Sequence, residues 1–238
     1  MNQFSPAAKI FIALTVLAGA ALLLYGLFHS QPASLPEFFV FLVLAVVASR
    51  LTVKLPGVHG TMSVNLPFFL IAAIKLSFSE ALVIACVGAM AQSFGRSRGN
   101  RPVQIAFNAA TLTNSIALAA WAAAAVQRQF ALPAASVAAG AAYFLGNTIL
   151  MMLVLWLAEG EHPLPTWGRM AELAFPYYLL SAAIAAIICG GVKNAGWTLA
   201  LIVLVAMYLT YRSYRVYFAR PALKPPAWLR ARERRWEY

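Results

Sequence analysis

The chain has 238 residues, of which 62% are hydrophobic and only 11% charged, with a mean hydropathy of +0.76 and a formal net charge of +11. Soluble domains carry about 25% charged residues, so this composition excludes a water-soluble globular protein and indicates a polytopic membrane protein. The two cysteines are too few for a disulfide framework, and the separators between apolar runs are too brief for an inserted soluble domain of ~50 residues.

The apolar runs predict an all-α, polytopic transmembrane helical bundle of about eight segments, the third of them short, in one domain over residues 1–218. The first run, Ile10 to Phe28, is longer than a signal-peptide core of ~7–15 residues, and "HSQPAS" offers no A-x-A site, so an uncleaved membrane helix is expected. A second run, Phe38 to Ala48, leads to "LPGVHGTMSVN". That stretch reads either as an ordinary Gly- and Pro-rich loop or as an irregular approach lining a cavity at membrane depth.

The third run, Leu66 to Leu76, covers about half of a ~30 Å bilayer core as a helix. Pro67 fits a first turn, with Asn65 or Ser63 as possible caps, and a helix from Met62 to Phe78 reaches the lower limit of the spanning range while Lys75 snorkels outward. Ser77-Phe78-Ser79-Glu80 reads as a capping box that opens the fourth helix with no real loop before it. Cys86 and Cys189 fall inside apolar segments and read as small packing residues.

On the fifth segment Gln104, Asn108, Thr111 and Ser115 recur at spacings of four, three and four, which places them on one helix face, with Ile116 and Ala120 assigned to the lipid side. The sixth repeats the spacing with Ser136, Gly140, Tyr143 and Asn147, and the two stripes are expected to pair. They read either as helix-to-helix glue, worth ~0.6–2 kcal/mol per contact, or as the lining of a ligand pocket. With Asn65 they form the candidate site.

Ionisable groups inside the apolar segments are scarce. There is no Asp, and Lys75, Glu80 and Glu172 sit near predicted helix ends. Glu159-Gly160-Glu161-His162 crowds its ligands into one loop without a spaced partner, and neither His29 nor His59 pairs with a nucleophile. No phosphate loop, catalytic triad or H-E-x-x-H element is present, so no metal, cofactor or enzymatic activity is expected.

At the carboxy terminus, Tyr208, Tyr211, Tyr214 and Tyr217 stand beside Arg212 and Arg215, as where a helix leaves the bilayer through the aromatic belt. Residues 219–238 then read as a basic amphipathic cytoplasmic tail in which Trp228, Arg232, Arg235 and Trp236 meet the membrane surface; the lipid bilayer rather than nucleic acid is its expected partner. With eight crossings and an inner amino terminus, fifteen Lys and Arg lie inside against Lys75, Arg128 and Lys193 outside. The positive-inside rule thus places both termini in the cytoplasm, and a third segment that failed to cross would export the basic tail.

The succession "KLPGVHGTMSVNLPFFLIAAIKLSFSEALVIACVGAMAQSF", a basic loop from Arg96 to Arg101, and "IAFNAATLTNSIALAAWA" with Phe107-Asn108 resembles the MASE membrane-associated sensor domains that precede bacterial cyclase, phosphodiesterase and kinase modules. The resemblance covers roughly residues 50–126. It implies a sensor-like bundle in the bacterial cytoplasmic (inner) membrane that binds a small ligand or a partner's helices. The chain carries no GGDEF, HD-GYP or kinase motif, so output would come from a cytoplasmic signalling partner. The alternative is a substrate-binding component of a transporter, similar to those of energy-coupling-factor vitamin transporters, with other transporter subunits as partners.

Overall fold

The computed structural model describes residues 5–29, 31, 34–54, 61–93, 102–160, 162–191 and 196–219. Eight helices are found among them: α1 (Pro6–His29), α2 (Leu35–Arg50), α3 (Leu66–Lys75), α4 (Phe78–Ser93), α5 (Pro102–Gln127), α6 (Leu132–Glu159), α7 (Pro163–Gly191) and α8 (Gly196–Ala219). Six of the eight, all but α4 and α8, carry a proline in their first two positions, where its missing N–H costs nothing and its φ is already helical.

The fourth helix starts on the expected capping box. The Ser77 amide donates to Glu80 Oε2 at 2.9 Å, and the Glu80 amide donates back to Ser77 Oγ at 3.4 Å. Gly160 ends α6: at φ 73° it holds a left-handed turn, and its amide donates to the Trp156 carbonyl at 3.0 Å.

The outside of the bundle is apolar. Ile10, Leu14 and Leu17 of α1, Phe39 and Val43 of α2, Leu118 of α5 and Ile202 and Val205 of α8 are all exposed, a surface that water does not tolerate at this extent and that a bilayer does. Four helices are long and apolar enough to cross a membrane unaided: α1, α5, α6 and the Ala171–Gly190 portion of α7. This is a helical membrane protein. α2, α3 and α4, at 16, 10 and 16 residues, fall short of that length.

The third segment departs from expectation. Instead of one helix over Met62–Phe78, residues Thr61–Ser63 form a strand, β2, paired antiparallel with β1 (Thr52–Lys54) in the register Thr52↔Ser63, Val53↔Met62 and Lys54↔Thr61. Helix α3 begins only at Leu66, because pairing with β1 holds Thr61–Ser63 extended, while Pro67 sits at its second position, where the missing N–H costs nothing. Residues 55–60, the rest of the proposed cavity wall, lie outside the described residues.

Short as it is, α3 is the centre of the fold. Every residue from Leu66 to Ala72 is buried, and the helix packs against α2, α4, α5, α6 and α7. Gly88 of α4 makes this enclosure possible, since a Cβ there would lie 2.7 Å from Cζ of the fully buried Phe69. α5 is the second central helix. Ile116 and Ala120, expected against lipid, are buried because α1, α4, α3 and α6 surround α5 on most of its circumference; its lipid contacts are made by Leu118 and Trp121.

Candidate functional site

Polar side chains converge where α3 begins. Asn65 precedes the helix, but its side chain does not cap it: Nδ2 donates to Ser49 Oγ of α2 at 2.7 Å, while the Asn65 carbonyl accepts from the Phe68 and Phe69 amides. Ser63 does not cap it either; its hydroxyl donates to Gln92 Oε1 of α4 at 3.0 Å. Ser49 Oγ lies 3.2 Å from where a Cβ on Gly88 would sit, so the glycine leaves room for this hydroxyl as well as for the Phe69 ring. A helix start owes four amides a partner. Here Pro67 has none, the Asn65 carbonyl takes two, and the remaining Leu66 N–H donates to Tyr177 Oη of α7 at 3.0 Å.

Tyr177 links this start to a second group of polar and aromatic residues. It follows Pro176, which lies inside α7 and removes one backbone hydrogen bond there. Its neighbour Tyr178 accepts a hydrogen bond from Asn147 Nδ2 of α6 at 2.8 Å. The Tyr178 ring lies 5.7 Å from Tyr143 and 5.0 Å edge-on to Phe144. One turn away, Trp167 Nε1 donates to Thr148 Oγ1 at 3.1 Å, and Thr148 donates to the Phe144 carbonyl.

The expected α5 stripe is partly realised. Thr111 and Ser115 are fully buried, Ser115 Oγ donates to the Thr111 carbonyl at 2.7 Å, and Thr111 Oγ1 has no hydrogen-bond partner. Asn108 reaches α4 rather than α6, with Nδ2 3.3 Å from Ser93 Oγ and 3.5 Å from the Ala89 carbonyl. Gln104 is exposed: it lies in the first turn of α5, before that helix enters the bundle, so the inward stripe starts at Asn108.

The pairing of the α5 and α6 stripes does not occur. Gly146 takes the contact with Ser115 and Leu118 of α5, which turns the face carrying Gly140, Tyr143 and Asn147 toward α7; Gly140 accordingly packs against Ala182. Thus Asn65, Tyr143 and Asn147 join one polar seam through Tyr177 and Tyr178, Asn108 makes a separate contact with Ser93 and Ala89 of α4, and Thr111 and Ser115 are buried within α5.

Ser49, Gln92, Ser93, Tyr177 and Tyr178 were missed by periodicity, which registers stripes within one helix and not single residues contributed by several. A proline followed by two tyrosines in an otherwise apolar run was the available signal for the last pair. Glu159 and His162 are exposed, Glu161 lies outside the described residues, and no cluster of His, Cys, Asp and Glu gathers among the described ones. Trp228, Arg232, Arg235 and Trp236 fall in 220–238, outside the described residues.

Chemically the seam is neutral. Its hydroxyls, carboxamides and indole N–H donate and accept hydrogen bonds, and its rings offer faces and edges, so it suits binding of an uncharged, partly aromatic molecule better than acid–base or nucleophilic chemistry. No protein-family model, curated protein or solved structure matches the chain.

Proposed function

We propose that the chain is a sensor-like, small-ligand-binding protein of the bacterial cytoplasmic membrane that crosses it eight times with both termini on the cytoplasmic side. The basic loops and tail support this orientation. The hydrogen bond from Ser5 Oγ to the Leu157 carbonyl, 2.7 Å, which joins the start of α1 to the end of α6, bears instead on the number of crossings. An even number of crossings must lie between two points at the same membrane face, and six crossings from α1 to α6, the short α3 included, meet that condition, whereas omission of α3 alone leaves five and does not.

The observation that carries the binding reading is the buried start of α3, tied to α2, α4 and α7 by neutral polar side chains next to the Tyr143–Tyr178–Asn147 cluster. A ligand seated between α3, α6 and α7 exchanges hydrogen bonds with groups that in its absence satisfy one another. A change in how α7 packs on α3 then reaches the cytoplasmic end of α7, where a signalling partner is available.

Native mass spectrometry of the purified chain tests this, reading ligand and partner together. A small neutral molecule retained by the wild type and lost from Asn147→Ala is the expected result. A vitamin-like molecule retained together with an ATPase subunit would assign the chain to transport instead. Retention unchanged by Asn147→Ala and by Tyr178→Phe would refute the proposed seat.

A further inference from the structure

We infer that Tyr25, Phe78 and Trp121 anchor the bundle in the headgroup and glycerol region of the outer leaflet, and that this registration sets the polar seam at the bilayer midplane. The inference rests on the eight-crossing reading above.

The three residues come from three helices and meet at one end of the bundle. Phe78 stacks on Trp121 with centroids 5.8 Å apart and planes at 12°, and Tyr25 meets Phe78 edge-on at 6.4 Å. Tyr25 in turn stacks on His29 at 4.4 Å. Tyr25 and Trp121 remain 55% and 51% exposed, so rings with polar tips face outward from the bundle. Such rings concentrate where hydrocarbon gives way to headgroups, because the ring prefers the acyl boundary and the O–H or N–H prefers water and ester oxygens. The occupant of this surface is therefore lipid, not a protein partner.

Distances along the helices support the assignment. From Pro6 to Tyr25 on α1, and again from Pro102 to Trp121 on α5, the rise is ~29 Å at ~1.5 Å per residue, close to the ~30 Å of a hydrocarbon core. The inner boundary then passes near Pro6, where Ser5 bonds Leu157 and the adjacent Trp156 is exposed. Two independent counts locate the seam. The ten residues of α3 place Leu66 roughly 15 Å below the outer level, and the ten steps from Leu157 back to Asn147 place that residue roughly 15 Å above the inner one. Leu66 and Asn147, joined through Tyr177 and Tyr178, thus meet at mid-depth.

Depth-resolved spin labelling on α1 tests the registration in lipid nanodiscs, in full-length chain carrying Cys86→Ser and Cys189→Ser. Single cysteines at the exposed positions Ile10, Leu14, Leu17, Leu24 and Phe28 are labelled with a nitroxide, and collision with oxygen is compared with collision with a water-soluble nickel chelate. The oxygen preference is expected to peak between Leu14 and Leu17 and to be lost at Phe28. A peak at Leu24, or an oxygen preference retained at Phe28, would overturn the outer boundary. Immobilised spectra with low collision to both reagents at Leu24 and Phe28 would overturn it too, by assigning the surface to a protein interface. Failure of the eight-crossing reading shows separately, in intact cells treated with an impermeant maleimide, as protection of a Lys75→Cys or Arg128→Cys variant or as labelling of a Ser213→Cys variant from outside.

Discussion

Replacing Tyr177 by Phe removes one oxygen and leaves the ring, its 6.1 Å edge-on contact with Tyr178 and the volume of the site in place. What it strips is the acceptor of the Leu66 N–H, bonded at 3.0 Å and buried at 2% exposure. The Asn65 carbonyl already serves the Phe68 and Phe69 amides, and the Asn65 side chain is turned to Ser49, so no neighbour along the chain takes over. A buried donor left without a partner costs about 1–3 kcal/mol, whereas an average side-chain hydrogen bond between membrane helices is worth ~0.6 kcal/mol. Tyr177→Phe is therefore expected to destabilise the bundle by about 1–3 kcal/mol, five- to more than a hundredfold in the unfolding equilibrium. Tyr25→Phe, on the exposed rim, is expected to stay within about 0.5 kcal/mol. Reversible unfolding in mixed micelles, titrated with dodecyl sulfate, reads both. A Tyr177→Phe variant as stable as Tyr25→Phe would refute the account of how α3 is capped.

Three further outcomes follow from the packing. Gly88→Ala drives a methyl into the Phe69 ring, which is fully enclosed, so the overpacking cost of about 1–3 kcal/mol outweighs a helix-propensity gain of about 1 kcal/mol, while Gly168→Ala, with open space around it, keeps the gain; the same titration should show opposite signs. Cysteines at Thr111, Ser115, Ile116 and Ala120 should all resist lipid-phase probes while cysteines at Leu118 and Trp121 react, and equal labelling around α5 would remove it from the centre of the bundle. A peptide of residues 224–238 should show blue-shifted Trp228 and Trp236 emission on anionic vesicles, weakened by salt within a Debye length of ~8–10 Å, and far less on neutral ones; a peptide unbound at low salt would reassign the tail to a protein partner.

Class, membrane residence and the start of α4 were legible in the sequence because each follows from local chemistry. Apolar runs must leave water, a proline suits a first turn, and Ser77 and Glu80 are close enough along the chain to cap one another without help from the rest of the fold. The same locality made Thr111 and Ser115 readable, since residues four apart share a face wherever the helix lies. Which face meets which neighbour was decided only by tertiary structure. Ile116 and Ala120 look like lipid-facing residues along α5 alone, yet are buried because α5 is surrounded; Tyr143 and Asn147 met α7 because Gly146 took the close contact with α5. The same holds for α3. The shortness of its apolar run was readable, but its true start, its position at the centre, which depends on a missing side chain at Gly88, twenty-two residues beyond Leu66, and its cap, a hydroxyl 111 residues away at Tyr177, were not. A hydrogen bond or a steric vacancy between distant segments has no periodicity to display, because it exists only once the helices have packed.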